Sequence, residues 1–128
     1  MQATPSRSTE VLERADVLTE DELDSLPVGM IQLGRDGTVL KFNQTESSLA
    51  RVEKSEALGK SFFDDVAPCT KVQEFYGKFI EGVENRSLLT SFPYQFRFRD
   101  GREKNVMISM FYSGSTDTVW VLVQRPTS

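Results

Sequence analysis

Few residues in this chain can do chemistry, and their scarcity narrows the function. Histidine is absent and cysteine occurs once, at Cys69. That removes the commonest metal ligand and the usual general base, and it excludes zinc sites and Cys-His nucleophile pairs. With no base-and-nucleophile pairing visible, binding or sensing is expected rather than an enzyme. The lone thiol lies in S-F-F-D-D-V-A-P-C-T-K-V-Q-E-F-Y-G-K-F, residues 61–79. Pro68 fixes its own φ and disfavours helix at Ala67, so Cys69 is presented from a rigid kink. Upstream, Phe62, Phe63 and Val66 cluster around Asp64 and Asp65. A thiol so placed beside aromatic side chains can carry a covalent group. Two other readings stand beside this one. Cys69 can be a small buried hydrophobe, or a redox switch in which the thiol itself reacts. The switch needs an accessible, acidic thiol, and no His or cluster of Lys and Arg flanks it.

The elements that must position this segment follow from periodicity. Val72, Phe75, Tyr76, Phe79 and Val83 recur at spacings of three and four, which predicts a helix from Val72 to about Asn85 with one buried face. Val28 to Leu33 and Thr38 to Asn43 flank Gly34-Arg35-Asp36-Gly37, a hairpin signal. Short helices and turns are expected over Gln44 to Gly59. Phe92, Tyr94, Phe96 and Phe98 alternate with polar residues and Pro93, predicting a strand with one aromatic face. Any sheet must bury one face, so this strip reads as core before it reads as a pocket. Asp100-Gly101 turns into Val106 to Tyr112, and Gly114 to Asp117 turns into Val119 to Gln124. The first 25 or so residues read as a cap. Glu10 to Val17 has helical character, and Thr19-Glu20-Asp21-Glu22 is a capping-box pattern starting a second short helix that Pro27 ends. The sum is an α+β chain with one five-stranded antiparallel sheet.

Composition sets the remaining bounds. The 128 residues suffice for one domain with a real core, and 38% hydrophobic with 27% charged residues is ordinary for a globular protein. A net charge of −4 without a Lys/Arg run argues against nucleic acid and membrane surfaces as partners. No stretch is long and apolar enough to span a bilayer, the first nine residues lack a signal-peptide core, and one cysteine cannot form an intrachain disulfide. A cytoplasmic domain, monomeric or weakly dimeric, is expected.

Several stretches carry a resemblance. D-V-A-P-C-T followed by E-F-Y-G-K-F, together with V-G-M-I-Q-L, T-V-L-K-F-N and L-G-K-S-F-F, resembles the photoactive yellow protein family, PAS-fold blue-light receptors, over roughly residues 18 to 125. The resemblance implies a PAS core over residues 26–128 with a chromophore pocket, preceded by a cap over residues 1–25. It implies p-coumaric (4-hydroxycinnamic) acid held as a thioester on Cys69. It implies that Glu46, otherwise an unremarkable surface carboxylate, donates a hydrogen bond and later a proton to the buried phenolate. Phe42, Phe62, Val66, Ala67, Pro68, Phe96 and Ile31 fall at positions near or walling the chromophore. Light would isomerise the double bond from trans to cis, Glu46 would lose its proton, and the stranded charge would drive partial unfolding that signals to a downstream protein. A PAS ligand-sensing or interaction module without the p-coumaroyl group is the alternative. Flavin photochemistry is disfavoured, since Cys69 is not set between asparagine and arginine.

Three positions depart from the family pattern. Phe42 stands for the tyrosine that gives the phenolate its second hydrogen bond, Ala50 for the threonine that orients that tyrosine, and Val52 for an arginine, with Arg51 one residue earlier. The first two go together, because without a tyrosine hydroxyl its partner has nothing to orient. Phe98 and Asp100 also depart, from a tyrosine and a methionine.

Overall fold

Two hydrophobic patterns decide this architecture: alternation along the aromatic strand Leu89–Arg97, and a closing strand that is buried almost without interruption. In the computed structural model, which describes residues 7–97 and 101–124, the strands are β1 (Gly29–Leu33), β2 (Val39–Phe42), β3 (Leu89–Arg97), β4 (Glu103–Ser113) and β5 (Thr118–Gln124). They form one antiparallel sheet in the order β2-β1-β5-β4-β3. β5 lies in the middle and is buried from Thr118 to Val123. A central strand covered on both faces must be apolar on both, which is why T-V-W-V-L-V does not alternate. Phe98 and Asp100 lie outside the described residues.

One sheet face packs Ile31, Leu33, Phe92, Phe96, Ile108, Met110, Val121 and Val123 against Phe62, Phe63, Phe75, Phe79 and Val83. Covering this face are α3 (Gln44–Ala50), α4 (Lys54–Ala57), the turns around Cys69, and α5 (Lys78–Asn85). The opposite face packs Met30, Trp120 and Leu122 against Leu12, Ala15 and Leu23 of the cap. The cap consists of α1 (Arg7–Arg14), a 3₁₀ turn (Ala15–Val17) and α2 (Glu20–Asp24). Helices this short do not persist alone. Docking stabilises them, since each large apolar side chain buried contributes roughly 1.5–3 kcal/mol. The expected capping box is present: Glu22 N donates to Thr19 Oγ1 at 3.1 Å and Thr19 N donates to Glu22 Oε1 at 2.8 Å.

The predicted helix from Val72 is not α-helical throughout. Gln73–Gly77 forms a wide π-type turn, and regular α-helix begins only at Lys78. The carbonyl of Val72 accepts from both Tyr76 N at 2.7 Å and Gly77 N at 3.3 Å. Within this turn two consecutive rings, Phe75 and Tyr76, both meet Phe63, with centroids at 5.7 and 4.8 Å.

Candidate functional site

Glu46 sits in the first turn of α3, held there by the residue three before it. Asn43 is the N-cap: its Oδ1 accepts from Glu46 N at 3.0 Å and from Met30 N at 2.9 Å. Its Nδ2 donates to Leu23 O at 2.7 Å and Val28 O at 3.0 Å. One buried amide therefore joins α3, β1 and the cap with every hydrogen-bonding group used. The sequence signal for it was the spacing Asn43-x-x-Glu46 ahead of a helix, read instead as the end of a strand.

The Glu46 side chain turns inward and is only 5% exposed. Among the described residues its Oε1 is the one buried side-chain nitrogen or oxygen without a hydrogen-bond partner. Burial disfavours the charged form and pushes the carboxyl up to about 8. A neutral carboxyl at neutral pH is a proton donor.

Glu46 lines a cavity of about 810 Å³ together with Leu49, Ala50, Arg51 and Val52 from the end of α3, and with Phe62, Val66, Ala67, Pro68, Phe96, Val106 and Val123. The charged side chains of Glu56, Lys60, Asp64, Asp65, Arg97, Arg102 and Lys104 also contribute. Six of the nine expected site residues thus share this cavity: Glu46, Phe62, Val66, Ala67, Pro68 and Phe96. Ile31 and Phe42 are register partners across β1 and β2, buried in the adjoining core and not on the cavity surface. Cys69 is half-buried, packs against the same core, and follows the lining residue Pro68 without lining the cavity itself.

The segment carrying Cys69 is a series of unusual turns. Phe62–Val66 forms a π-type turn, with Ala67 N donating to Phe62 O at 2.7 Å, and Pro68–Thr70 forms a 3₁₀ turn. Such wide turns inside helical segments recur at functional sites. The kink expected from Pro68 is present, with Thr70 Oγ1 donating to Ala67 O at 2.6 Å. Lys71 and Asp64 close the segment from outside at 2.6 Å, and the hydrogen bond from Lys71 holds the Asp64 carboxyl below its usual range. Tyr94 closes it from the sheet by donating its hydroxyl to Cys69 O. Burial, then the nearby Cys69, pushes that hydroxyl up to about 12. Tyr94 continues a run of rings from Phe62 through Phe75 to Phe96, with successive centroids at 6.0, 5.4 and 5.6 Å. Tyr94 was read only as part of the aromatic face; its tie to the Cys69 carbonyl joins residues distant in sequence.

Phe42 and Ala50 bring no hydrogen-bonding side-chain group. At the end of α3 the chain reverses through Arg51 at φ 58°, and Ser47 Oγ donates to Val52 O at 2.7 Å.

A family model for the PAS fold matches residues 19–126. A photoactive yellow protein of Halochromatium salexigens is 40% identical over 108 residues, which is 84% of this chain and 86% of the relative. Its counterpart in Rhodothalassium salexigens is 38% identical over 104 residues, covering 81% of this chain and 82% of the relative. This chain belongs to the photoactive yellow protein family. Its fold superposes on the photoactive yellow protein domain of the sensor histidine kinase Ppr from Rhodospirillum centenum with a TM-score of 0.82 at 35% identity, over 88% of this chain and 97% of that one. A PAS domain of an HTR-like protein from Haloarcula marismortui, 19% identical with a TM-score of 0.62 over 89% and 98% of the two chains, shares the fold. Membership makes the chain a PAS photoreceptor, and not an enzyme. Among the described residues no helix is long and apolar enough to cross a membrane.

Proposed function

We propose that this chain is a blue-light receptor carrying p-coumaric acid as a thioester on Cys69, with residues 26–128 as the sensing core and residues 1–25 as a cap released on signalling. The observation that carries this reading is the buried, partnerless Oε1 of Glu46 on the wall of a cavity also lined by Phe62, Val66, Ala67 and Phe96. A buried polar atom left unpaired costs stability, and a ligand oxygen would supply the partner. Cys69 Sγ would anchor the acyl end, Pro68 would complete the wall, and Ile31 and Phe42 would back it from the core.

When bound, the p-coumaroyl group supplies a light-driven trans-to-cis isomerisation and a phenolic oxygen that gains a proton. Glu46 holds that proton in the dark, because burial keeps its carboxyl neutral, and releases it after illumination. The carboxylate left behind is enclosed and short of donors. Such an uncompensated charge costs several kcal/mol, comparable to the whole stability of a small domain. α3 feels it first, since Glu46 lies in its first turn. Asn43, the cap of that turn, also holds Leu23 and Val28, so loosening of α3 passes directly to the cap. The signal would reach a downstream signalling protein from a cytoplasmic monomer or weak dimer. That the similar Ppr domain comes from a sensor histidine kinase supports a signalling partner.

The test mixes pigment-free protein with activated p-coumaric acid and reads intact mass and visible spectrum before and after blue light. A single adduct with a bleachable colour is expected, absent in Cys69→Ala. A folded chain that forms no adduct is instead a ligand-binding or interaction module. Reversible oxidation of Cys69 in place of an adduct identifies a thiol switch.

A further inference from the structure

We propose that Gly29 is the positioning residue for the Glu46 carboxyl: the absent side chain at position 29 leaves the slot on β1 into which Oε1 is set, and so fixes the direction in which Glu46 can hand on its proton. The inference rests on the reading of Glu46 as proton donor. A Cβ placed on Gly29 would lie 2.1 Å from Glu46 Oε1 and 3.2 Å from both its Cβ and Cδ. The first distance is far inside van der Waals contact, so the carboxyl and a side chain at 29 cannot share this space.

Nothing else at position 29 asks for glycine. Its φ is not positive, unlike those of Gly37, Gly59 and Gly101. It lies in β1, paired with Val123 of the central strand, where glycine gives up packing and conformational stability. By alternation it shares the pocket face with Ile31, while Met30 points to the cap face. Met30 N is in turn bound by Asn43 Oδ1, the atom that also holds Glu46 N. Two consecutive β1 residues therefore register Glu46 at both its ends, Met30 through Asn43 at the backbone and Gly29 at the carboxyl. Oε1 gains no hydrogen bond there, so the slot aims the carboxyl without satisfying it.

The test compares the pigment-loaded chain with Gly29→Ala, Glu46→Ala and the double variant. The readouts are the infrared carboxyl stretch of Glu46, the rate of light-driven proton transfer and the visible band. Gly29→Ala is expected to shift the stretch, move the band and slow transfer by at least about tenfold, because small misplacements of a reacting group cost that much or more. In the Glu46→Ala background the same methyl finds the slot vacated and leaves the band in place. Parental values in Gly29→Ala, or an equal band shift in both backgrounds, overturn the proposal. Should Gly29→Ala alone fail to fold, recovery of the fold in the double variant supports it and a second failure overturns it. If the parent takes up no pigment, the receptor reading falls separately. The pH midpoint of the Glu46 stretch in the pigment-free chain then decides the positioning role: displaced in Gly29→Ala if the role holds, unmoved if it does not.

Discussion

Each face of the sheet holds one carboxyl group at the centre of its arrangement, and the two faces treat it in opposite ways. On the pocket face, Glu46 is enclosed without a donor to its Oε1 and is driven towards its neutral form. On the cap face, Asp16 is surrounded by donors: the Trp120 indole Nε1 at 2.7 Å, Ser113 Oγ, and Thr116 Oγ1 at 3.3 Å. An identical functional group is kept protonated in one place and is a structural tie in the other, and on the proposed reading the first is a proton store. Burial without a donor favours the neutral acid at Glu46, whereas the half-buried Asp16 serves as an acceptor shared by three side chains. On the proposed reading, light sensing needs the first on the side that would bind pigment. A cap that stays docked in the dark needs the second on the other side.

The largest effect expected from breaking this contrast is loss of pigment altogether. Cys69→Ala should leave the fold intact and abolish the coloured adduct, read by intact mass. Next comes the proton store. Glu46 titrates near 8 in the folded chain against an ordinary value of 4.5, so the folded state holds an extra proton between those limits. The stability it confers is full at pH 4.5 and below, falls as pH rises towards 8, and is then level. Urea unfolding of the pigment-free chain should therefore show stability declining across that window by an amount on the order of a few kcal/mol. Glu46→Gln should be flat there, and in the loaded protein it should retain colour while losing the internal proton transfer. A Glu46→Gln chain that still declines over the same window would place the titrating group elsewhere.

The structural tie should answer differently. Asp16→Ala removes the acceptor for the indole of Trp120 and two hydroxyls, and hydrogen bonds to a charged group are worth about 1.5–3 kcal/mol. Since Trp120 is the one tryptophan, its fluorescence reports this face alone. The emission should shift to the red and the cap should become more sensitive to protease. The Glu46 carboxyl stretch should stay where it was. If that stretch moves as much as the tryptophan signal, the two faces are coupled more tightly than their separate clusters indicate.

Features written within a few residues of sequence were legible. The Thr19 capping box, the β1–β2 turn, the Pro68 kink and the aromatic alternation of β3 each follow from local rules, and together they specify the fold class and the succession of elements along the chain. What escaped depends on partners far apart along the chain. Nothing around Glu46 shows that it turns inward; the slot belongs to Gly29, in a different strand. Asp16 looks like a surface acid until the last strand brings Trp120 beneath it. The wide turn at Gln73–Gly77 was hidden for another reason. An inserted residue per turn leaves apolar spacings of three and four intact on either side, so periodicity alone reads straight through it. Val17, at the end of the stretch expected to be helical, is 78% exposed, because the chain has already left the α-helix at Ala15.

The smallest expected effect tests the rewiring at Phe42. Its ring is 3% exposed and backs the pocket from β2, where the family pattern has a tyrosine. With no hydroxyl there and none at Ala50, the phenolic oxygen of the proposed pigment would depend chiefly on Glu46. Excitation moves charge off that oxygen, so each ground-state donor that is missing lowers the excitation energy. Phe42→Tyr should therefore move the absorption band of the loaded protein to the blue and lower the pH at which the pigment protonates. In the pigment-free chain the same hydroxyl is buried without a partner, costing about 1–3 kcal/mol. Adding Ala50→Thr should recover part of that loss by giving the hydroxyl a neighbour to bond. A band in Phe42→Tyr that stays put or moves to the red would mean that another group already serves the phenolic oxygen, and that Glu46 is not its main support.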